Sequence, residues 1–504
     1  MTLVSRILGF ARDMVIARHF GADAATDAFF VAFRIPNFLR RLFAEGSFAQ
    51  AFVPMLSECQ QSGGRAGLRQ FLDRASGTLA LIVLLASALG SLLSPLLILV
   101  FAPGFLVQDA QFDLSSALLR ITFPYLFFIT LVAFAGGILN AHGRFAIPAF
   151  TPALLNAVMI AATLWLAPRL AQPVMALAWG VLLDGAAQLA LQIPALLAAG
   201  LLPRPRLRFA DPQVRRLLKR MLPAIFGVSV TPVNLLVDTL IASFLASGSV
   251  SWLYYSDRLV EFPLGVFGVA MGTAILPHLA KSHARQDAAG FSEALDWGLR
   301  WVLLVGLPAT VGLAVLAEPL MSTLFQYDEF GSRDVQMAGR SLMTYSSGLV
   351  GFIAVKILAS GFNARHDLQT PVRHGFYAMA ANLLLGLVLV APLARYGWGH
   401  AALALATALA ALFNAALLLR GLLRDGVFRP RAGWLGYLAR LSAGNLAMGW
   451  LLAHFAVGLP WAAWTAHERI AQLVLWIAAG GAGYFALLWL CGLRPAHLSL
   501  REAV

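Results

Sequence analysis

The chain runs to 504 residues, of which 60% are hydrophobic and 12% charged, with a mean hydropathy of +0.76. Soluble globular chains carry roughly a quarter charged residues, so a water-soluble enzyme or binding module is excluded and a polytopic membrane protein is indicated. The formal net charge of +13 does not point to nucleic acid, because the basic residues crowd particular loops.

Runs of about 20 apolar residues predict an all-α fold of about fourteen membrane-spanning helices. They begin near residues 3, 25, 76, 113, 147, 173, 222, 251, 295, 336, 370, 397, 434 and 467. Basic clusters follow the even-numbered segments: Arg65, Arg69 and Arg74; Arg204 to Arg220; Arg420 to Arg431. The loops after odd-numbered segments hold acids such as Asp109, Asp113, Asp328 and Glu329. The positive-inside rule then places both termini in the cytoplasm. Cys59 and Cys491 are too far apart in the chain to read as a disulfide framework or a metal site. The first twenty residues are no signal peptide, because Arg6, Arg12 and Asp13 interrupt any uncharged core.

A charge at the centre of a span costs about 2.5–3.5 kcal/mol, so such charges face a cavity or a partner. In the first segment Arg6, Gly9, Arg12, Asp13 and Ser5 fall within one arc of about 120° at 100° per residue. In the second, Asp27, Arg34 and Arg41 recur every seven residues and share a face, and Arg41 is spaced to pair with Glu45. Pro36 and Asn37 predict a kink there, which belongs beside water or protein rather than lipid.

The fourth segment ends NAHGRFAIP (Asn140–Pro148) and the tenth ends NARHDLQTP (Asn363–Pro371), 223 residues later; Pro54 and Pro277 share that offset. Six segments per half keep one orientation, which predicts a parallel repeat. The expected organisation is an N-lobe over 1–203, a basic cytoplasmic linker over 204–221, a C-lobe over 222–425, and two appended helices over 426–504. Repeat-built transporters place their site between the lobes.

Asp238 is a lone carboxylate in the seventh segment; with Asn382 and Thr407 it makes a candidate oxygen-rich cation site, against a plain hydrogen-bonded carboxyl. The eighth segment opens YYSDRLVEFP, with Tyr254, Asp257, Arg258 and Glu261 on one face of about 100°. Asp257 and Glu261 can neutralise Arg258 as an ion-pair network. The surplus guanidiniums of the first two segments suit an anion, since guanidinium grips phosphate oxygens in a fixed fork. Lys356 in the tenth segment either snorkels to headgroups or lines a cavity. No H-E-x-x-H and no G-x-x-x-x-G-K-[ST] occurs, so no zinc hydrolase or P-loop chemistry is expected.

SRILGFARD, ATDAFFVAFRIPNFLRRLFAEGSFAQAFVP and SGSVSWLYYSDRLVEFPLGVFGVAMGTAILP resemble the MurJ (MviN) lipid II flippase family of the MOP exporter superfamily. The resemblance runs from residue 2 to the last helix. It implies a fourteen-helix fold of two six-helix lobes in the bacterial inner membrane, and a monomer. Such proteins alternate between inward-open and outward-open states to flip the undecaprenyl-pyrophosphate-linked peptidoglycan precursor, lipid II. It further implies functional roles for Arg6, Arg12, Arg40 and Arg258, read as substrate-binding, and for Asp27, Asp257 and Glu261, which with Asp13 of the polar arc are read as gating or ion-pair groups. The last two helices would form a groove for the lipid tail. No cofactor is expected beyond a coupling monovalent cation or the membrane potential. The family has a longer lead-in before the S-R-x-L-G-F motif, which implies a start upstream of Met1.

Three other readings compete. A polyprenyl-phosphate glycosyltransferase would use Asp109 and Asp113, but their loop is short. A cation or drug antiporter of the same superfamily needs an acidic or aromatic cavity, the opposite sign to this one. A flippase for another pyrophosphate-linked glycan shares the charge logic, and only the longer motif match separates it.

Overall fold

A computed structural model describes residues 2–41, 48–107, 109–228 and 230–494, and among them every regular element is a helix. Within a bilayer each backbone N–H and C=O must be satisfied internally, and a helix does this within one segment. Ten stretches are long and apolar enough to cross a membrane, from Ala51–Leu92 to Ala466–Leu490. The first, second, seventh and thirteenth expected segments are helical where described but shorter or more polar. Glu45, the expected partner of Arg41, lies outside the described residues.

The chain divides into two compact units, Met1–Ser251 and Trp252–Val504. The first contains α1 (Thr2–Phe20), α2 (Ala24–Arg40), α3 (Phe48–Leu92), α4 (Ser94–Phe101) and α5 (Asp109–Thr122). It continues with α6 (Tyr125–Ala141), α7 (Ala146–Ala161), α8 (Met175–Ala198), α9 (Pro212–Val228) and α10 (Val230–Ala242). α8 packs on α5, α6 and α7; α1 lies on α7, α2 on α5, and α9 on α3. Pro36 sits inside α2 as expected. α3 is interrupted at Gly64, whose φ of 57° and ψ of −155° suit only a residue without a Cβ. An aromatic core joins α3 to α6: Phe52 lies 4.6 Å from Phe48, 4.8 Å from Phe134 and 6.1 Å from Phe71, centroid to centroid.

The basic linker is not a free loop. The Arg206 backbone N–H donates to the Asp73 carbonyl (2.8 Å), Arg74 pairs with Asp211, and Arg216 and Arg220 both reach Glu58 (2.9 and 3.2 Å). Gly77 allows that approach, since a Cβ there would strike the Arg206 backbone. Residues 222–251, which the repeat assigns to the second lobe, lie in the first unit, with α10 against α2 and α4.

The second unit continues with α11 (Ser249–Pro263), which straddles the boundary, then α12 (Val269–Ala284), α13 (Ala288–Val315), α14 (Ala317–Phe325) and α15 (Ser332–Ser346). Next come α16 (Leu349–Asn363), α17 (Gln369–Ala394), α18 (Gly399–Arg424), α19 (Trp434–Phe455) and α20 (Ala466–Leu490). α18 packs on α15, α16 and α17. Gly351 makes this close, because a Cβ there would stand 2.8 Å from the Leu412 nitrogen. The appended α19 and α20 pack on each other, α19 also on α13 and α20 on α14. Arg469 at the start of α20 is buried and donates to the carbonyls of Ser322, Gln326, Ala462 and Trp464.

The repeat is written into the turns. After α6 the N–H of Gly143 donates to the Asn140 carbonyl and that of Arg144 to Leu139, with Gly143 at φ 73°. After α16 His366 donates to Asn363 and Asp367 to Phe362, with His366 at φ 61°, each 223 residues on. This is the helix-ending turn that satisfies orphan carbonyls through a left-handed residue. The linkers are clamped alike: Asp73 Oδ1 accepts from the Arg204 N–H (2.7 Å), and Asp296 Oδ1, 223 residues later, accepts from the Arg431 N–H (3.1 Å).

Candidate functional site

On α1, Arg12 is buried and its guanidinium reaches both Asp13 and Asn156. Its Nε and Nη2 donate to Asp13 Oδ1 (3.0 and 2.6 Å), and its Nη1 donates to Asn156 Oδ1 on α7 (3.1 Å). Asn156 completes the tie by donating from Nδ2 to the Ser5 carbonyl (3.0 Å). Gly9, at the middle of the polar arc, lies against Asn156: a Cβ there would stand 3.5 Å from its Nδ2, an ordinary contact. Arg6 is exposed on the same helix.

The seven-residue stripe of α2 turns out to grip the end of its own unit. Asp27, 2% exposed, accepts from the N–H of Gly248 (2.7 Å) and from the N–H and hydroxyl of Ser251 (2.8 and 2.6 Å). Arg34 Nη1 donates to Thr239 Oγ1 on α10 (2.5 Å). Arg40 Nε donates to Asn37 Oδ1 one turn back (2.9 Å), and Arg40 also lines a cavity of about 420 Å³ within the first unit. Tyr125, Asn140, Thr151, Gln188 and Gln192 supply the polar wall of that cavity.

Sequence reasoning missed the α8 contribution. Asp184, Gln188 and Gln192 are spaced four apart and buried, at 0%, 3% and 1% exposure. Gln188 Nε2 donates to Asp184 Oδ2 (2.7 Å), while Asp184 Oδ1 and Gln192 Oε1 have no hydrogen-bond partner among the described residues. The four-residue spacing was the available signal.

In the second unit one side of α11 packs on α15. Trp252 Nε1 donates to Asp334 Oδ1 (2.9 Å) and Ser256 Oγ to the Ala338 carbonyl (2.8 Å), both on α15. The other side carries half-buried Asp257, Arg258 and Glu261. Arg258 Nη1 donates to Glu261 Oε2 (2.7 Å), Nη2 to Tyr254 Oη (3.3 Å), and the guanidinium carbon lies 4.8 Å from the Tyr254 ring centroid. Thr407 Oγ1 donates to Asn382 Oδ1 (3.2 Å), whereas Asp238 belongs to the first unit. Lys356 on α16 is exposed.

Comparison with known proteins agrees with these motifs. The family model described as lipid II flippase MurJ matches residues 16–473. The chain belongs to the MurJ family. A Vibrio cholerae protein named "Probable lipid II flippase MurJ" is 46% identical over 99% of this chain and 95% of its own length. The Burkholderia cenocepacia "Lipid II flippase MurJ" is 40% identical, covering 99% and 97%. A solved MurJ structure in an inward closed conformation superposes with a TM-score of 0.80 at 25% identity, covering 97% of this chain and 98% of that one. An inward-facing multidrug MATE transporter of the MOP superfamily shares the fold at TM-score 0.67 and 12% identity. This MurJ-family chain is accordingly a multi-pass membrane transporter and not a catalyst.

Proposed function

We propose that this chain flips lipid II from the cytoplasmic to the outer leaflet of the bacterial inner membrane by alternating access. The pyrophosphate is held by Arg6, Arg12, Arg40 and Arg258. The observation that carries the reading is the full-length likeness to named lipid II flippases. The geometry supports it. Arg12 and Arg258 each stand beside an acid, Asp13 and Glu261, so a bound phosphate exchanges with a carboxylate rather than filling a bare positive site. Exchange keeps the difference between loaded and empty states to a few kcal/mol, which a carrier needs in order to release its load. Asp27 and Asp257 act with these acids as gating and ion-pairing groups. The α19–α20 pair takes the polyprenyl tail, membrane lipids surround the chain, and the working form is a monomer.

Coupling to a monovalent cation is assigned to Asp238, Asn382 and Thr407, with the membrane potential as the alternative drive. Replacing sodium and potassium by a bulky organic cation at fixed potential stops flipping if a cation is coupled, and Asn382→Ala is then insensitive to the exchange. Complementation of a cell depleted of its own lipid II flippase tests the function itself. Growth is the expected result. Failure by a well-expressed, membrane-inserted protein overturns it. Arg258→Lys restores growth only in part, because an ammonium lacks the two-pronged fork.

A further inference from the structure

The linker between α8 and α9 carries more positive charge than its neighbours neutralise. Its sequence LPRPRLRF (202–209) mixes basic and apolar residues, and Arg204, Arg206 and Arg208 are all exposed. The backbone is held against α3: the N–H groups of Arg204 and Arg206 donate to Asp73 (2.7 and 2.8 Å), and that of Arg208 to Thr78 Oγ1 (3.4 Å). On the first turns of α9, Arg215 and Lys219 are exposed as well. The acids nearby are engaged elsewhere, Asp73 by the linker backbone, Asp211 by Arg74, and Glu58 by Arg216 and Arg220. Arg204, Arg206, Arg208, Arg215 and Lys219 have no ion-pair partner among the described residues.

Beside these cations stand apolar side chains in the open: Leu202, Leu207 and Phe209 are 40%, 58% and 51% exposed. Depth in the membrane follows from the backbone bonds. Between Arg74 and Asp109 the chain has no charged residue, so Asp73 to Thr78 mark the edge of an apolar span. The linker is bonded to that edge and follows directly on α8, another apolar span. Cations and exposed Leu and Phe at this level match a bilayer interface, where apolar side chains enter the acyl boundary and Lys and Arg meet phosphate. A purely acidic partner would answer the charge but leave the apolar side chains in water.

We propose that the linker and the first turns of α9 form a docking surface for anionic phospholipid of the adjoining leaflet. Arg204, Arg206, Arg208, Arg215 and Lys219 meet headgroup phosphates, and Leu207 and Phe209 enter the acyl boundary. This surface works independently of what the chain transports.

The test uses the full chain in nanodiscs of phosphatidylcholine, alone or with phosphatidylglycerol mixed in. The readout is the rate of trypsin cleavage after Arg206 and Arg208, each divided by cleavage after the exposed Arg285 and compared between the two bilayers. Each cation near an anionic surface is expected to change binding about fivefold, so phosphatidylglycerol slows cleavage of the linker about tenfold or more. Arg215→Gln with Lys219→Gln removes two cations, leaves both cleavage sites, and is expected to lower that protection severalfold. Leu207→Ser with Phe209→Ser, also at exposed positions, is expected to lower it independently and covers the case in which the first pair fails to fold. Thermal melting reports folding for both. Equal rates in the two bilayers overturn the proposal, and so does protection that survives both pairs of substitutions. Protection in native membranes that is lost on extraction and not restored by phosphatidylglycerol assigns the surface to an acidic protein, which also overturns it.

Discussion

Arg12 shows how a residue can be legible by type and illegible by role. The polar arc of α1 put Arg12 and Asp13 together correctly, but a helical wheel holds no information about the neighbouring helix, so Asn156 was out of reach. Because Asp13 is 1% exposed, deleting the guanidinium leaves a buried carboxylate without its ion pair. Arg12→Ala is expected to cost roughly 3–5 kcal/mol, measured as a shift in thermal or denaturant unfolding. Loss of growth in that variant would therefore be ambiguous. The double variant Arg12→Gln with Asp13→Asn separates the two roles, since it keeps neutral hydrogen-bonding groups in place without burying an unpaired charge. It is expected to melt close to wild type yet fail complementation. Growth of the double variant would show that Arg12 only joins α1 to α7. Asp184 was hidden for a related reason: its span is otherwise so apolar that a single acid reads as an isolated exception. Only the spacing of Asp184, Gln188 and Gln192 marked a stripe.

At the scale of elements, the repeat was visible in two Asn-to-Pro stretches, and the structure extends it to matching backbone bonds. What residue identity did not reveal is that His366 occupies the left-handed position that glycine fills in the first copy. A non-glycine residue there carries about 1 kcal/mol of strain. His366→Gly is expected to raise unfolding stability by about that amount, and Gly143→Ala to lower it similarly. A Cβ at Gly143 meets nothing within 4 Å, so backbone strain alone is measured. A different kind of glycine is tested by Gly77→Ala, which forces the linker off α3. Trypsin cleavage among Arg204, Arg206 and Arg208 is expected to accelerate severalfold. Gly272→Ala, in open space on α12, is the control and leaves cleavage as in wild type.

For the whole molecule, composition and patterning were enough to give an all-helical membrane protein, because lipid permits so few alternatives. The extent of the compact units was less legible. Sequence symmetry groups residues 222–251 with the second half of the chain, whereas Asp27 and Arg34 tie that segment to α2 through bonds between residues far apart in the chain. Asp27 accepts three donors at the last residues of the first unit. In Asp27→Asn one of those positions becomes an NH₂ facing an N–H, which repels it. Amide hydrogen exchange at Gly248 and Ser251 is expected to speed up about tenfold or more, with little change elsewhere in α2. Unchanged exchange at both amides would show that the clamp is not what orders the junction.

The paired clamps at Asp73 and Asp296 also bear on how the chain is made. Synthesis runs from the N-terminus, and domains tend to fold as they emerge. Asp73 is already made when Arg204 leaves the ribosome, so this latch can close before α12 exists. Asp296 then does the same for Arg431 without borrowing anything from the first half. Each half carries its own fastener, made early and closed late, and a nascent chain of this length is never left with both basic linkers loose at once.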